Sequence, residues 1–300
     1  MNTRSSLTPL LCLAGAVLLW GTSFVATKCA LAGFTPGALI FLRMLLASAI
    51  MALFWRRVPP VQGGRASGDL RWLALLCLLQ PCLYFLLEAN AVRLTTSAQA
   101  GMVSALVPLL VAAGAWIFLR EALSGRMVAG LALSLAGVIW LSLSGDAAEA
   151  APNPALGNLL ELLAMCCASG YMLVLKHLSS RYDSWRLTGL QVFAGALFFS
   201  PWALASSPAQ WLAAPASAWL AVGYLGGVVT LGAFGMYNMA ASRLAAARAA
   251  ASINLVPLMA VLSGWALLGE SLNAQQGLAC ALILAGVALG QGPGRPSARR

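Results

Sequence analysis

The second half of this chain repeats the first at a constant offset of 149 residues. Leu106-Val107-Pro108-Leu109 returns as Leu255-Val256-Pro257-Leu258, Trp116 as Trp265, and Glu121 with Leu123 as Glu270 with Leu272. Leu135-Ala136-Gly137-Val138 returns as Leu284-Ala285-Gly286-Val287, and Gly21 as Gly170. Apolar composition alone does not place proline, tryptophan, glutamate and glycine at one common offset. Whatever the first copy folds into, the second must fold into as well, and the two must share an interface.

The unit belongs in a membrane. The chain is 61% hydrophobic and 9% charged, with a mean hydropathy of +0.85. A soluble domain of this length could not cover its surface with so few polar residues. The net charge of +10 is scattered over short loops and forms no basic face with interleaved aromatics, so nucleic acid is excluded as a partner. Sixteen of the eighteen basic residues are arginine, a bias that suggests a GC-rich bacterial source. The seven cysteines (Cys12, Cys29, Cys77, Cys82, Cys166, Cys167 and Cys280) lie in or beside apolar segments without any C-x-x-C pair. With His177 the sole histidine, they read as buried free thiols, and no metal or other cofactor is expected.

A helix needs ~20 apolar residues to cross the hydrocarbon. Ten runs qualify, at 8–29, 36–55, 70–91, 96–119, 126–144, 156–178, 186–205, 216–240, 246–269 and 274–292. The first has the basic flank of a signal peptide but no convincing cleavage site, and it begins a repeat copy, so it is expected to remain as a helix. The fold class predicted is an all-α integral membrane protein. Two five-helix repeats, 8–144 and 156–292, are separated by an external linker at 145–155 and followed by a basic tail at 293–300.

Charge sets the orientation. With the N-terminus cytoplasmic, fifteen of the eighteen basic residues fall on the inner side; Lys28 and Arg93 lie outside, and Arg43 lies within a span. The linker carries Asp146 and Glu149 and no basic residue. The positive-inside rule therefore predicts that both termini are cytoplasmic, in a bacterial inner membrane. Five is odd, so the second copy must enter the membrane upside down. Inverted copies can exchange conformations, which opens a central site to one side and then the other.

Polar residues within spans mark where that site would be, since each is costly to insert. Arg43, about eight residues into the second span, is a candidate anchor for a substrate carboxylate, a lock between states, or a structural ion pair. Glu88, one turn from Tyr84, is aligned with Asn238, next to Tyr237, once one inserted residue is allowed. It could bind an amine, exchange a proton, or pair with Lys28 or Arg43. Trp20-Gly21 and Gly170-Tyr171 occupy matching places in helices one and six, where they could wall a cavity or simply pack. Pro108 and Pro257 interrupt two spans, as hinges or plain kinks, with Asn254 one turn before the second break. Glu161 is expected at the lipid interface, and Glu121 and Glu270 as caps of the helices that follow them. Gly223, Gly226, Gly227, Gly232 and Gly235 give the eighth span a small-residue face, and Gly286-x-x-x-Gly290 is a candidate homodimer contact.

Together these residues resemble the drug/metabolite transporter superfamily, with the EamA-type branch the best fit. The resemblance rests on Trp20-Gly21-Thr22-Ser23-Phe24 with Lys28 and Pro36, on Arg93-Leu94-Thr95-Thr96-Ser97-Ala98 before the Pro108 helix, and on Leu119-Arg120-Glu121 after it. It covers about residues 8–291. The second copy departs from the pattern at Ser169-Gly170-Tyr171 and at Ala245-Ala246-Ala247. The resemblance implies a ten-helix bundle around a central cavity that exports small metabolites, and it names no substrate. The leading expectation from the chain is a secondary transporter that exports amino acids or related metabolites, with Glu88 exchanging protons if transport is coupled. An uncoupled facilitator would use the same cavity. No ATP-binding loop and no clustered catalytic set is present, which disfavours an intramembrane lipid-modifying enzyme.

Overall fold

Apolar spans must satisfy their own backbone polar groups, and helices are the open-ended way to do so. The computed structural model describes residues 4–59, 68–120, 124–144, 151–179, 181–233, 235–237 and 254–291. Its regular elements are helices: α1 (Arg4–Leu31), α2 (Pro36–Phe54), α3 (Asp69–Cys77), α4 (Tyr84–Leu94), α5 (Ser97–Val103), α6 (Val107–Leu119) and α7 (Gly125–Leu143). There follow α8 (Pro154–Leu178), α9 (Ser184–Leu204), the short α10 (Pro208–Leu212), α11 (Ala216–Gly223), α12 (Val256–Leu268) and α13 (Ala274–Gln291). Side-chain caps start them: Thr35 for α2, Thr96 for α5, Ser124 for α7, Asn153 for α8 and Asp183 for α9.

Among the described residues, eight segments are long and apolar enough to cross a membrane, and Val256–Leu268 and Ala274–Gly290 are shorter apolar helices. The protein is an all-α, multi-pass membrane protein. The end of the expected eighth span with Asn238, the joint with Arg243 and the beginning of the ninth span with Arg248 lie outside the described residues, as do Glu121 and most of the linker.

Several spans are not simple helices. Between α3 and α4 the span kinks over Leu78–Leu83, where Gln80, before Pro81, leaves helical backbone (φ −146°, ψ 120°). A second irregular stretch, π-helical over Tyr224–Ala233, follows α11. Shifted by the 149-residue offset, the kink falls on 227–232, inside the second. The offset also carries Arg120 onto Gly269, and both adopt left-handed backbone (φ 57° and 65°) at the ends of α6 and α12.

α9 lies along α2, α13 along α7, α8 along α4, and α12 against α1 and α5. The largest apolar cluster gathers Leu39, Met44, Phe85, Phe199 and Leu225 from α2, α4, α9 and the second π stretch. Between α7 and α13 the backbones nearly touch. A Cβ on Gly130 would sit 2.5 Å from Gly286 O and 2.6 Å from Gly290 N, and Ser134 Oγ donates to Ile283 O at 3.0 Å. The Gly286-x-x-x-Gly290 face expected to serve a homodimer is therefore filled by α7 of the same chain. In the eighth span only part of the glycine face is used closely: a Cβ on Gly226 would meet Arg43 O at 2.9 Å, whereas Gly223 faces open space.

Candidate functional site

The broken helices enclose a cavity of about 520 Å³, a size suited to a small metabolite. Gln80 of the kink lines it, and its carbonyl, turned out of the helix by its extended backbone, accepts from Gln191 Nε2 at 2.7 Å. The second π stretch is stabilised by Thr230, whose hydroxyl donates to Leu225 O at 2.8 Å. The same hydroxyl accepts from Arg43 Nε at 2.9 Å. A widened turn in one half thus fixes an arginine from the other.

Arg43 is 4% exposed and faces the cavity, with its guanidinium carbon 4.2 Å from the centre of the Phe85 ring. Stacking and one hydrogen bond orient it while its terminal nitrogens remain available. Glu88, also 4% exposed, lines the same cavity. Its Oε1 accepts from Tyr84 Oη at 2.7 Å, and its Oε2 has no partner. Arg43 and Glu88 are within electrostatic reach of one another yet form no contact ion pair. A basic and an acidic side chain thus face one cavity without being joined to each other.

Six of the eight binding residues named from the sequence line this cavity: Trp20, Arg43, Tyr84, Glu88, Tyr171 and Tyr237. The Trp20 and Tyr237 rings are 5.2 Å apart. Asn238 lies outside the described residues, and Asn254 is described but is not part of the lining. Pro108 and Pro257 each sit in the first turn of a helix, and the residue before each, Val107 and Val256, lines the cavity. Gly21 allows α1 to approach α12, since a Cβ there would lie 2.3 Å from Met259 Cβ, while Gly170 faces Leu79 at 3.2 Å. The Trp20–Phe24 motif divides its work: Trp20, Ser23 and Phe24 line the cavity, and Thr22 Oγ1 lies 2.7 Å from Tyr224 Oη.

Sequence reasoning missed Gln80 and Thr230. Pro81 inside an apolar run was the signal for the first; nothing in the local sequence marks Thr230, because a π turn has no composition of its own.

The cavity reaches Lys176, Ser179 and Ser184, where α8 ends and α9 begins. Near that end, Arg181 Nη2 pairs with Asp69 Oδ1 at 2.5 Å and Tyr182 Oη donates to Asp69 Oδ2 at 3.1 Å. The opposite end is closed by polar contacts. Lys28 Nζ donates to Val92 O at 2.9 Å and to Thr95 O. Asn158 Nδ2 donates to Gln99 Oε1 at 3.0 Å and to Ser142 Oγ at 3.2 Å.

Two glutamates are placed differently from expectation. Glu270 caps no helix that follows it: Oε1 accepts from Ser97 N at 2.9 Å, and Oε2 from Ser97 Oγ at 2.7 Å and Ala98 N at 2.9 Å. It therefore caps α5, and the start of α13 is served by Asn273 and Gln276 capping one another. Glu161 is not interfacial. It is 0% exposed because α8 lies along α4 and buries that face.

The EamA-like transporter family matches this chain over residues 7–143 and again over 155–290. An uncharacterized transporter of Archaeoglobus fulgidus is 26% identical over 293 residues, covering 96% of this chain and 98% of its own. A probable terminal-alkyne amino-acid exporter of Streptantibioticus cattleyicolor is 26% identical over 255 residues, covering 85% and 83%. One protein of known crystal structure superposes with a TM-score of 0.64 at 24% identity, over 95% of this chain and 97% of that one, a likeness of fold.

Proposed function

The chain belongs to the EamA-like transporter family, and on that premise we propose that it exports amino acids or closely related zwitterions across the bacterial inner membrane by alternating access. One observation carries the reading: Arg43 and Glu88 face one cavity with opposite charges and are not joined to each other. In this reading Arg43 takes the substrate carboxylate, and Glu88, oriented by Tyr84, takes the ammonium group. Trp20, Phe24, Phe85, Met165 and Met172 surround the remainder of the substrate. The name of the Streptantibioticus relative, an amino-acid exporter, supports the same class.

Two inverted five-helix repeats, with both termini cytoplasmic, supply the motion. The irregular stretches at matching positions, the matching left-handed turns and the contacts between α2 and α9 and between α7 and α13 support the repeat. With that topology the Lys176–Ser184 end is cytoplasmic and the Glu270 end external, so the cavity is open to the side from which an exporter loads. Proton coupling through Glu88 is part of the proposal: a carboxylate released by its substrate ammonium is left with one unpartnered oxygen that a proton can occupy.

The test is counterflow in proteoliposomes with individual radiolabelled L-amino acids. At least one is expected to exchange, with its amide and its deaminated acid competing at least about tenfold more weakly, the equivalent of one lost polar contact. Absence of exchange for all of them would sink the zwitterion reading. A proton gradient imposed on the same vesicles should drive accumulation; a flat response would instead identify an uncoupled facilitator.

A further inference from the structure

A second buried carboxyl lies beside the cavity and takes no part in the site above. Glu161 of α8 is 0% exposed, and neither of its carboxylate oxygens has a hydrogen-bond partner. The packing of α8 on α4 fixes its level. A Cβ on Gly157 would meet Thr95 Cβ at 2.8 Å and Ala91 O at 3.0 Å, while Ala164 and Met165 pack with Tyr84 and Leu87. The two helices run antiparallel in this register, so Glu161, between those contacts, lies at the level of Glu88. One turn back along α8, Asn158 is also 0% exposed and is tied to Gln99 and Ser142, with Thr95 Oγ1 3.1 Å from its Oδ1. A track of buried polar groups therefore runs from the Thr95 end of the bundle through Asn158 and Glu161 to Glu88.

Among the described residues no counter-charge accompanies Glu161. Of the elements packed against α8, α5 and α6 carry no titratable side chain. Asp69 and Arg71 of α3 lie at the opposite end of α8, near Arg181, and Arg126 begins α7 far from Ser142. Cys77 ends α3, Cys82 lies within Leu78–Leu83, and Arg93 is exposed at the end of α4. There remain Tyr84 and Glu88, both within electrostatic reach of Glu161, with Arg43 beyond Glu88. An ionised Glu161 would be a buried charge without compensation, and a polar side chain that satisfies nothing weakens the fold it sits in. Intramembrane acids that survive this penalty sit on ion pathways.

We propose that Glu161 is a second proton-binding carboxyl, sharing one proton and one negative charge with Glu88 and linking the cavity to the Thr95 end. The two carboxyls make no hydrogen bond to each other here, so the proton passes through a bridging water: the O–H bond at Glu161 breaks as the water takes that proton and gives one of its own to Oε2 of Glu88, and the negative charge passes from Glu88 to Glu161. The role rests on the proton-coupled reading of the cavity, and the test separates the two.

Infrared spectra of the purified, reconstituted full chain at neutral pH should contain a protonated-carboxyl stretch that Glu161→Gln removes and Glu161→Asp retains, shifted. In proteoliposomes with the amino acid that exchanges best, Glu161→Gln should abolish proton-driven accumulation and leave counterflow within about twofold, because exchange needs no net proton movement. The same variant should melt no lower than the wild type, since glutamine removes a latent buried charge. A stretch unchanged by Glu161→Gln overturns the inference whatever the flux; so does undiminished accumulation in that variant. If the wild type itself fails to accumulate substrate, the coupling role falls, and the infrared band still decides whether Glu161 holds a proton.

Discussion

Glu270, in the turn after α12, and Glu88, within α4, are both acidic side chains, and their surroundings differ completely. Glu270 is held by three hydrogen bonds from Ser97 and Ala98, in a niche that Gly264 leaves open by lacking a side chain. Glu88 has one partner, Tyr84, and a bare oxygen in a cavity. A carboxylate whose oxygens are occupied by backbone N–H groups holds two helices together. A carboxylate kept incomplete can accept something that comes and goes. The distinction separates a contact between helices from the site proposed to take substrate.

The largest effect should come from the incomplete pair. Arg43→Ala and Glu88→Gln are each expected to lower flux at least about a hundredfold, since losing one partner of a buried charged contact costs about 3 kcal/mol. Protein inserted at normal levels and transporting normally would erase the contrast with Glu270. The complete carboxylate should act on a different quantity. Glu270→Gln weakens charge-assisted bonds worth about 1.5 kcal/mol and is expected to raise opening at that end roughly tenfold. Labelling of Phe24→Cys by an impermeant maleimide, in a background without the native cysteines, measures it. An unchanged labelling rate would mean that Glu270 does not hold the end shut. The smallest effects concern the turns that carry Glu270 and its counterpart. Gly269→Ala should destabilise by about 1 kcal/mol and Arg120→Gly stabilise by a similar amount, because both positions are left-handed and only glycine adopts that conformation freely. Thermal unfolding in one detergent would show opposite signs; equal signs would break the equivalence of the two turns.

Much of this was legible before any coordinates. The 149-residue offset, the apolar runs and the in-span charges led to the helical membrane fold and to six cavity residues. Periodic and chemical signals of that kind survive in a single sequence. Two kinds of information did not. The direction in which Glu161 and Glu270 point depends on which helix packs against them, and that is a tertiary fact: α8 on α4 buries one, and α5 against α12 captures the other. The glycine face of α13 was visible as a motif, but whether it meets α7 or another copy is decided by the fold. The π turn at Thr230 is set by hydrogen-bond register and leaves no compositional trace.

The central claim is that Arg43 and Glu88 hold the two charges of one zwitterion. A double-mutant cycle tests it most directly, with affinities of the best-exchanging amino acid, its amide and its deaminated acid measured for wild type, Arg43→Ala and Glu88→Gln. The expected result is paired non-additivity. Arg43→Ala should abolish the preference for the acid group over the amide and keep the preference for the amine. Glu88→Gln should do the reverse. If both variants weaken all three ligands by one common factor, neither residue reads a substrate charge, and the assignment of this cavity to zwitterions is contradicted.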